Sequence, residues 1–233
     1  MPRTQKNASH RISTMNESPL HAALKKRYSR AYDRHEVLVD GFLIDIVRDD
    51  LLIEIQTANF SAIKRKLETL LEDHPVRLVY PVARERWIVR QSGDGDRLGR
   101  RRSPKHGSVE SVFEELVYIP HLMPDPHFSL EVLLVEVDEI RRPNPRRRRK
   151  WVTHEQRLLE IIDRQLFQTP SDLRALIPAG LAEPFTNAEL ASAAGKPRWL
   201  AQKMTYGLSR MGALQQVGKR GNAHLFARIA EGA

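Results

Sequence analysis

The sequence predicts an α/β protein, a mixed sheet flanked by helices and followed by a small second domain of helices closed by a hairpin. Three stretches predict it. Residues 36–56, EVLVDGFLIDIVRDDLLIEIQ, hold three short runs of β-branched and aliphatic residues separated by turn signals, the pattern of an antiparallel meander. Residues 51–82 read as strand, amphipathic helix and strand, a connection long enough for a parallel crossover. Residues 186–229 read as helix, turn, helix and two short strands around a glycine-rich turn.

Composition bounds what these elements can serve. The chain has 233 residues, 41% of them hydrophobic, enough for one large domain or two small ones. It has no cysteine, which excludes disulfides and thiolate metal sites and suits a reducing compartment. No apolar run reaches membrane-spanning length, and the start, MPRTQKNASHRISTMNES, lacks the hydrophobic region of a signal peptide. A soluble, cytoplasmic, nucleoid-associated protein with no membrane partner is expected. The net charge of +9 is concentrated in residues 141–150, RRPNPRRRRK, where seven bases stand without an acid. Such a block suits a phosphate backbone, or is simply a solvated linker.

The first 18 residues are polar and expected to be a disordered tail. PLHAALKKRYSRAYDR predicts a helix opened by Pro19, with Leu20, Ala23, Leu24, Tyr28 and Ala31 at helical spacing and Glu17 as a favourable charge at its N-terminus. Three strands follow, Val37–Val39, Phe42–Val47 and Leu51–Ile55. Asp40-Gly41 between the first two is a strong type I′ hairpin signal, and Asp49-Asp50 is a weaker one. If both turns have two residues, Val39 faces Phe42 and Arg48 faces Leu51. Glu36 then lies opposite Asp45, Asp45 lies opposite Glu54, and Gln56 shares the face of Glu54. Like charges placed opposite one another destabilise a sheet, so the row reads either as a divalent-cation site or as the solvated side of an amphipathic meander.

Next come a helix with Phe60, Ile63, Leu67, Leu70 and Leu71 on its apolar face, flanked by Lys64 and Lys66, and a buried strand, Val76–Val82. Trp87–Arg90 is read as a further strand. Residues 91–108, QSGDGDRLGRRRSPKHGS, are read as a long basic loop whose Arg97, Arg100, Arg101, Arg102 and Lys105 either line a nucleic-acid path or form a plain surface loop. A helix near Val109–Ile119 and a strand, Leu130–Val137, complete this domain. His121 and His127 lie among prolines without metal-ligand spacing and are read as loop residues.

Asp45, eight intervening residues, then Glu54-Ile55-Gln56 and an amphipathic helix together resemble the core of the PD-(D/E)XK nuclease superfamily, over roughly residues 17–140. The resemblance implies a restriction-endonuclease-like fold for residues 19–140 and Mg²⁺- or Mn²⁺-dependent hydrolysis of nucleic-acid phosphodiesters. It implies Asp45, Glu54 and the Ile55 carbonyl as metal ligands and Glu36 or Glu17 as an extra carboxylate. Two departures stand out. Ile44 occupies the position of the signature proline, and Gln56 occupies that of the usual lysine. Some members carry Glu-x-Gln or move the lysine to the next helix, which makes Lys64 and Lys66 candidates.

After the linker, residues 151–233 are read as a second domain. WVTHEQRLLEIIDRQLF is expected to be a helix with a Thr153…Gln156 capping box, and a short helix is expected after Thr169-Pro170. Thr186…Glu189 is a further capping box, opening a helix that stops at Gly195; a second helix runs from Pro197 to Met211, and strands Ala213–Val217 and Ala223–Ile229 close the domain. This order resembles the winged helix-turn-helix superfamily. With Leu200, Met204, Leu208 and Met211 facing inward, Arg198, Gln202, Lys203, Tyr206 and Arg210 face outward, with Lys196 at the helix entry and Lys219 and Arg220 at the wing tip. The resemblance implies that these residues touch double-stranded DNA, while Arg146, Arg147, Arg148 and Arg149 bind phosphates without regard to sequence. A homodimer is compatible with this reading. The expected function is a Mg²⁺-dependent deoxyribonuclease; the alternative is a non-catalytic DNA-binding regulator whose nuclease fold has lost activity along with its lysine.

Overall fold

In the computed structural model, which describes residues 17–144 and 151–229, the first hairpin is the one the sequence predicts. Asp40 and Gly41 both take positive φ, 49° and 81°, as a type I′ turn requires. They join β1 (Arg34–Val39) antiparallel to β2 (Phe42–Arg48) with Val39 opposite Phe42. The second turn pairs Arg48 with Leu51 and adds β3 (Leu51–Ile55) in the expected register. Helix α1 (Pro19–Tyr28) precedes the meander, and α2 (Phe60–Leu70) crosses over to β4 (Val76–Gln91), which runs parallel to β3.

The rest of the sheet departs from expectation in three places. β4 is one strand of 16 residues, carried through Trp87–Arg90 by a bulge between Ala83 and Glu85 and parallel throughout to β6 (Phe128–Pro143). Residues 91–108 are not one long loop: β5 (Arg97–Arg102) folds back antiparallel on β4. All six of its residues are exposed, so it buries nothing that would have left an apolar alternation in the sequence. The largest correction concerns residues 151–167. They form β7 (Trp151–Phe167), an antiparallel partner of β6 from Pro143–Trp151 to Leu130–Phe167, and not the first helix of a second domain. Thr153 does not cap a helix; its hydroxyl donates to Glu139 Oε1 at 2.9 Å. β6 is buried on both faces over Phe128–Val135, and its open edge requires a strand. That tertiary demand outweighs the local capping signal.

The resulting seven-stranded sheet runs β1-β2-β3-β4-β6-β7, with β5 beside the far end of β4. Leu20, Leu24 and Tyr28 of α1 cover one face, over Ile46, Ile53, Ile55, Val79, Leu133 and Val135. The other face is covered by α2, by α3 (Phe113–Leu116) with the 3₁₀ turn before it, and by the C-terminal elements: α4 (Pro170–Arg174), α5 (Asn187–Ala194), α6 (Arg198–Arg210), β8 (Leu214–Arg220) and β9 (Ala223–Arg228). The capping boxes of α4 and α5 both form, as does the left-handed Gly195 that ends α5 at φ 61°. Inside α6, Gly207 lets the helix close on the ring of Phe113; a Cβ there would stand 3.1 Å from it. The C-terminal elements therefore share one continuous core with the sheet.

The α/β class with a mixed sheet and flanking helices is thus observed, but the boundary expected at residue 151 moves to the end of β7. Pro143 and Trp151 are direct partners, so β6 and β7 belong to one sheet and not to separate domains. A chain ending at Asn144 should consequently fail to fold, since β6 would lose its partner along its whole length. A chain ending just after Phe167 should keep the β6–β7 pairing and fold, with lower stability than the full chain because one face of the sheet loses its C-terminal cover. Solubility and far-ultraviolet circular dichroism of the two truncations distinguish these outcomes; a cooperatively folding 17–144 fragment contradicts the assignment of β7.

Candidate active site

Helix α1 brings three side chains of one face to the meander. Ser18 caps it, accepting from the His21 N–H at 3.2 Å, and Glu17, His21 and Lys25 follow at intervals of four residues. Burial of Leu20, Leu24 and Tyr28 against the sheet turns this face toward β1 and β2. His21 lies between two carboxylates, with Nδ1 2.5 Å from Glu17 Oε1 and Nε2 3.1 Å from Asp45 Oδ2. Lys25 Nζ bridges Glu17 at 2.9 Å and Glu36 at 3.0 Å. Glu36 has positive φ, 52°, within β1, a conformation that costs free energy for a residue with a side chain and that accompanies its reach to Lys25.

Asp45 and Glu54 occupy adjacent strands. Asp45 Oδ2 also accepts the Ile55 N–H at 2.9 Å, tying β2 to the end of β3. Glu54 is 6% exposed. From α2, Lys66 Nζ forms an ion pair with Glu54 Oε1 at 2.5 Å and donates to the Leu43 carbonyl, also at 2.5 Å. Burial pushes the Glu54 carboxyl up to about 7, helped by the nearby Asp45 charge, although Lys66 opposes the shift. Burial also pushes Asp45 upward, but His21, the Ile55 N–H and Lys66 outweigh it and hold its carboxyl below the ordinary range. His21 is likewise disfavoured as a cation by burial, and its two carboxylate partners reverse that and raise its pKa. Glu17, Ser18, His21, Lys25, Glu36, Leu43, Asp45, Gln56 and Thr57 line an open cleft of ≈ 320 Å³.

Among the described residues no three His, Asp or Glu side chains gather as a ready-made cluster. Mg²⁺ commonly takes only one or two carboxylates and completes its shell with water. Asp45, at the cleft, and Glu54, buried on the neighbouring strand, supply such a pair, and the Lys66 ammonium already meets the Glu54 charge in this structure. Two carboxylates are the kind of oxygen donor that Mg²⁺ takes, so the donor set fits in kind.

Of the predicted catalytic residues, the structure brings Asp45, Glu54 and Lys66 together and leaves Lys64 apart. Lys64 is 46% exposed and 3.7 Å from Glu68 on its own helix. Glu36 borders the same cleft, with its charge met by Lys25. Gln56 also lines it, and its amide donates to the Ala58 carbonyl, with a longer contact to that of Asn59 at 3.5 Å. His21 and Lys25 were not singled out from the sequence. The available signal was their spacing of four from Glu17 on a helix expected to lie on an acidic meander.

The residues predicted to touch DNA divide into two groups. Lys196 is held by Ser108 Oγ at 2.6 Å and Glu110 at 3.0 Å, Lys203 donates to the Glu114 carbonyl at 2.9 Å, and Arg220 pairs with Glu189 at 2.6 Å. The first two anchor α6 to the segment around α3. Arg198, Gln202, Tyr206, Arg210 and Lys219 are exposed. In the β4–β5 hairpin, Arg100 stacks on Trp87 at 4.0 Å and pairs with Asp138, and Arg102 pairs with Glu85. Arg146, Arg147, Arg148 and Arg149 lie outside the described residues.

Comparison with known proteins places the chain in one family. It belongs to the family described as Domain of unknown function (DUF8091), which matches residues 18–168 and so ends just beyond β7. An uncharacterized protein of Treponema pallidum (strain Nichols) is 31% identical over 174 residues, covering 74% of this chain and 67% of its own length. No solved structure matches. Among the described residues, no helix is long and apolar enough to cross a membrane.

Proposed function

We propose that this member of the DUF8091 family is a metal-dependent nuclease that hydrolyses nucleic-acid phosphodiesters, DNA in the first instance, with the PD-(D/E)XK and winged-helix resemblances describing its two parts. One observation carries the reading. Asp45 lines an open cleft, Glu54 lies buried on the neighbouring strand, and the next helix delivers Lys66 to Glu54 at 2.5 Å, the arrangement expected of a lysine displaced from position 56. Asp45, Glu54 and the Ile55 carbonyl would hold Mg²⁺ or Mn²⁺. Bound there, the ion would polarise water and the scissile phosphate.

The protein's own groups supply the rest. His21 and the Ile55 N–H orient Asp45 and hold it ionised. Lys66 offsets the crowded carboxylate charge and stands where a cation can meet a phosphate oxygen. Lys25 pairs with both Glu17 and Glu36 and offsets part of their charge, which lowers their repulsion of a polyanion. The exposed Arg198, Arg210 and Lys219 of the C-terminal elements add cations for a phosphate backbone.

A labelled DNA incubated with the purified protein should be shortened in Mg²⁺ or Mn²⁺ and left intact in excess chelator. Gln56, neutral where a lysine is usual, favours the alternative of a DNA-binding regulator without activity. That reading predicts binding with no cutting under either metal.

A further inference from the structure

Among the described residues four aromatic side chains are more than a third exposed: Tyr32, Tyr118, Trp199 and Tyr206. Three of these line a single groove between α6 and the residues after α3, Tyr118 at 51%, Trp199 at 48% and Tyr206 at 51% exposed. Val117, Gln202 and Lys203 complete its walls, which contain no carboxylate, and its volume is ≈ 520 Å³. Large rings are usually drawn inward by the hydrophobic effect, as Phe60, Phe113, Phe128, Phe167 and Phe185 are here. Three rings left at one surface suit a flat partner.

Charge identifies that partner. Each acid between residues 168 and 229 is already engaged: Asp172 accepts the Gln168 and Thr169 N–H groups, Glu183 pairs with Arg228, and Glu189 pairs with Arg220. Arg198, next to Trp199, and Arg210, which shares a neighbouring pocket with Tyr206, have no carboxylate partner among the described residues, so the α6 side of the groove is cationic, while Glu114 lies beyond its Val117–Tyr118 wall. Planar faces beside uncompensated cations match a polymer of planar bases and phosphates.

The groove's chemistry also distinguishes unpaired from paired bases. Reading a duplex needs hydrogen-bonding side chains directed at base edges. Besides the Tyr118 and Tyr206 hydroxyls, only Gln202 and Lys203 offer these in the groove, and the Lys203 ammonium is held by the Glu114 carbonyl. A ring surface, by contrast, meets base faces, which a duplex keeps covered in its own stack and a single strand exposes. We infer that the Tyr118–Trp199–Tyr206 groove is a stacking site for the unpaired bases of a single-stranded stretch of nucleic acid. The inference deepens the proposed nuclease function, on which it rests only for the link to cutting, by making DNA with an unpaired stretch the substrate class.

Anisotropy titrations in chelator test this on the full chain, with a labelled oligothymidylate and a blunt duplex of matched length. The intact protein should bind the single strand at least as tightly as the duplex. Trp199→Ala and Tyr206→Ala should each weaken single-strand binding by roughly five-fold to 150-fold, the scale for losing one stacked base. Trp199→Phe should keep most of the affinity, and duplex binding by Trp199→Ala should stay as it was. Both residues are exposed, and unchanged melting midpoints would verify that the variants fold. Unaltered oligothymidylate affinity in both alanine variants overturns the inference. Equal losses on duplex and single strand overturn it in favour of a double helix, and a self-association seen by sedimentation and abolished by Trp199→Ala overturns it in favour of a second copy of the chain. Because metal is absent, a protein that stacks but does not cut would sink the nuclease reading alone.

Discussion

Asp45→Ala and Glu54→Ala should each abolish Mg²⁺-dependent cleavage while leaving DNA binding as tight as in the unaltered protein, or tighter. Asp45→Ala removes a negative charge from a cleft proposed to receive phosphates, and Glu54→Ala removes a buried carboxyl from the neighbouring strand, so neither should weaken the encounter with DNA. Both also remove half of the carboxylate pair proposed to hold the metal. Glu54 is buried with its carboxyl raised to about 7, so its truncation should not cost the fold a well-solvated charge. Asp45 is different, because its carboxylate ties α1 to β3 through His21 and the Ile55 N–H. Asp45→Asn retains an acceptor for those bonds and serves as the control that separates lost chemistry from lost structure. Gel-based cleavage beside filter binding reads both quantities. Wild-type cutting by the double alanine variant would mean that the site is elsewhere.

The second large effect is expected at Lys66. Its ammonium stands at Glu54, whereas Lys64 stands near Glu68 on the exposed side of the same helix. Lys66→Ala should lower the cleavage rate by roughly two to three orders of magnitude, the scale for removing one preorganised electrostatic contact. Lys64→Ala should cut like the unaltered protein. Gln56→Lys in the Lys66→Ala background should restore part of the rate, because it returns a cation to the cleft from the adjacent strand. Single-turnover rates at saturating protein measure this without interference from binding. Equal activity of Lys64→Ala and Lys66→Ala would remove the displaced lysine from the account and leave the metal ligands standing.

Particular residues show what was legible before the structure. The register of the meander followed from Asp40-Gly41 and the two-residue turns, because side chains alternate with a period of two and one slip would have sent Glu36, Asp45 and Glu54 to other faces. The C-terminal helices were legible through Thr169-Pro170, the Thr186…Glu189 capping box, Gly195 and Pro197, signals carried within a few residues. β7 was not, because Thr153, Gln156 and the leucine and isoleucine spacing also satisfy a helix, and only the exposed edge of β6 decides between the two. β5 was hidden for the opposite reason: RLGRRR buries no side chain, and its strand state rests on backbone pairing with β4.

The candidate site was legible in the same uneven way. Asp45 and Glu54 sit on the strands whose register was readable, and Lys66 was one of two lysines at the right distance along the next helix. Choosing Lys66 over Lys64 needed the roll of α2 on the sheet, set by burial of Phe60, Leu67 and Leu70. His21 and Lys25 needed the placement of α1, which depends on contacts between residues far apart in the chain. The roles of Lys196 and Lys203 turned on the packing of Phe113 against Gly207, which faces these lysines toward α3.

The central claim is that Asp45 and Glu54 together bind a divalent metal, and Mn²⁺ tests it most directly. Crystals of the full chain grown with Mn²⁺ and measured at the manganese absorption edge should show an anomalous peak in contact with both carboxylates, and the peak should vanish in crystals of Glu54→Ala. A manganese peak elsewhere with nothing between Asp45 and Glu54, or a peak there that survives Glu54→Ala unchanged, would contradict it.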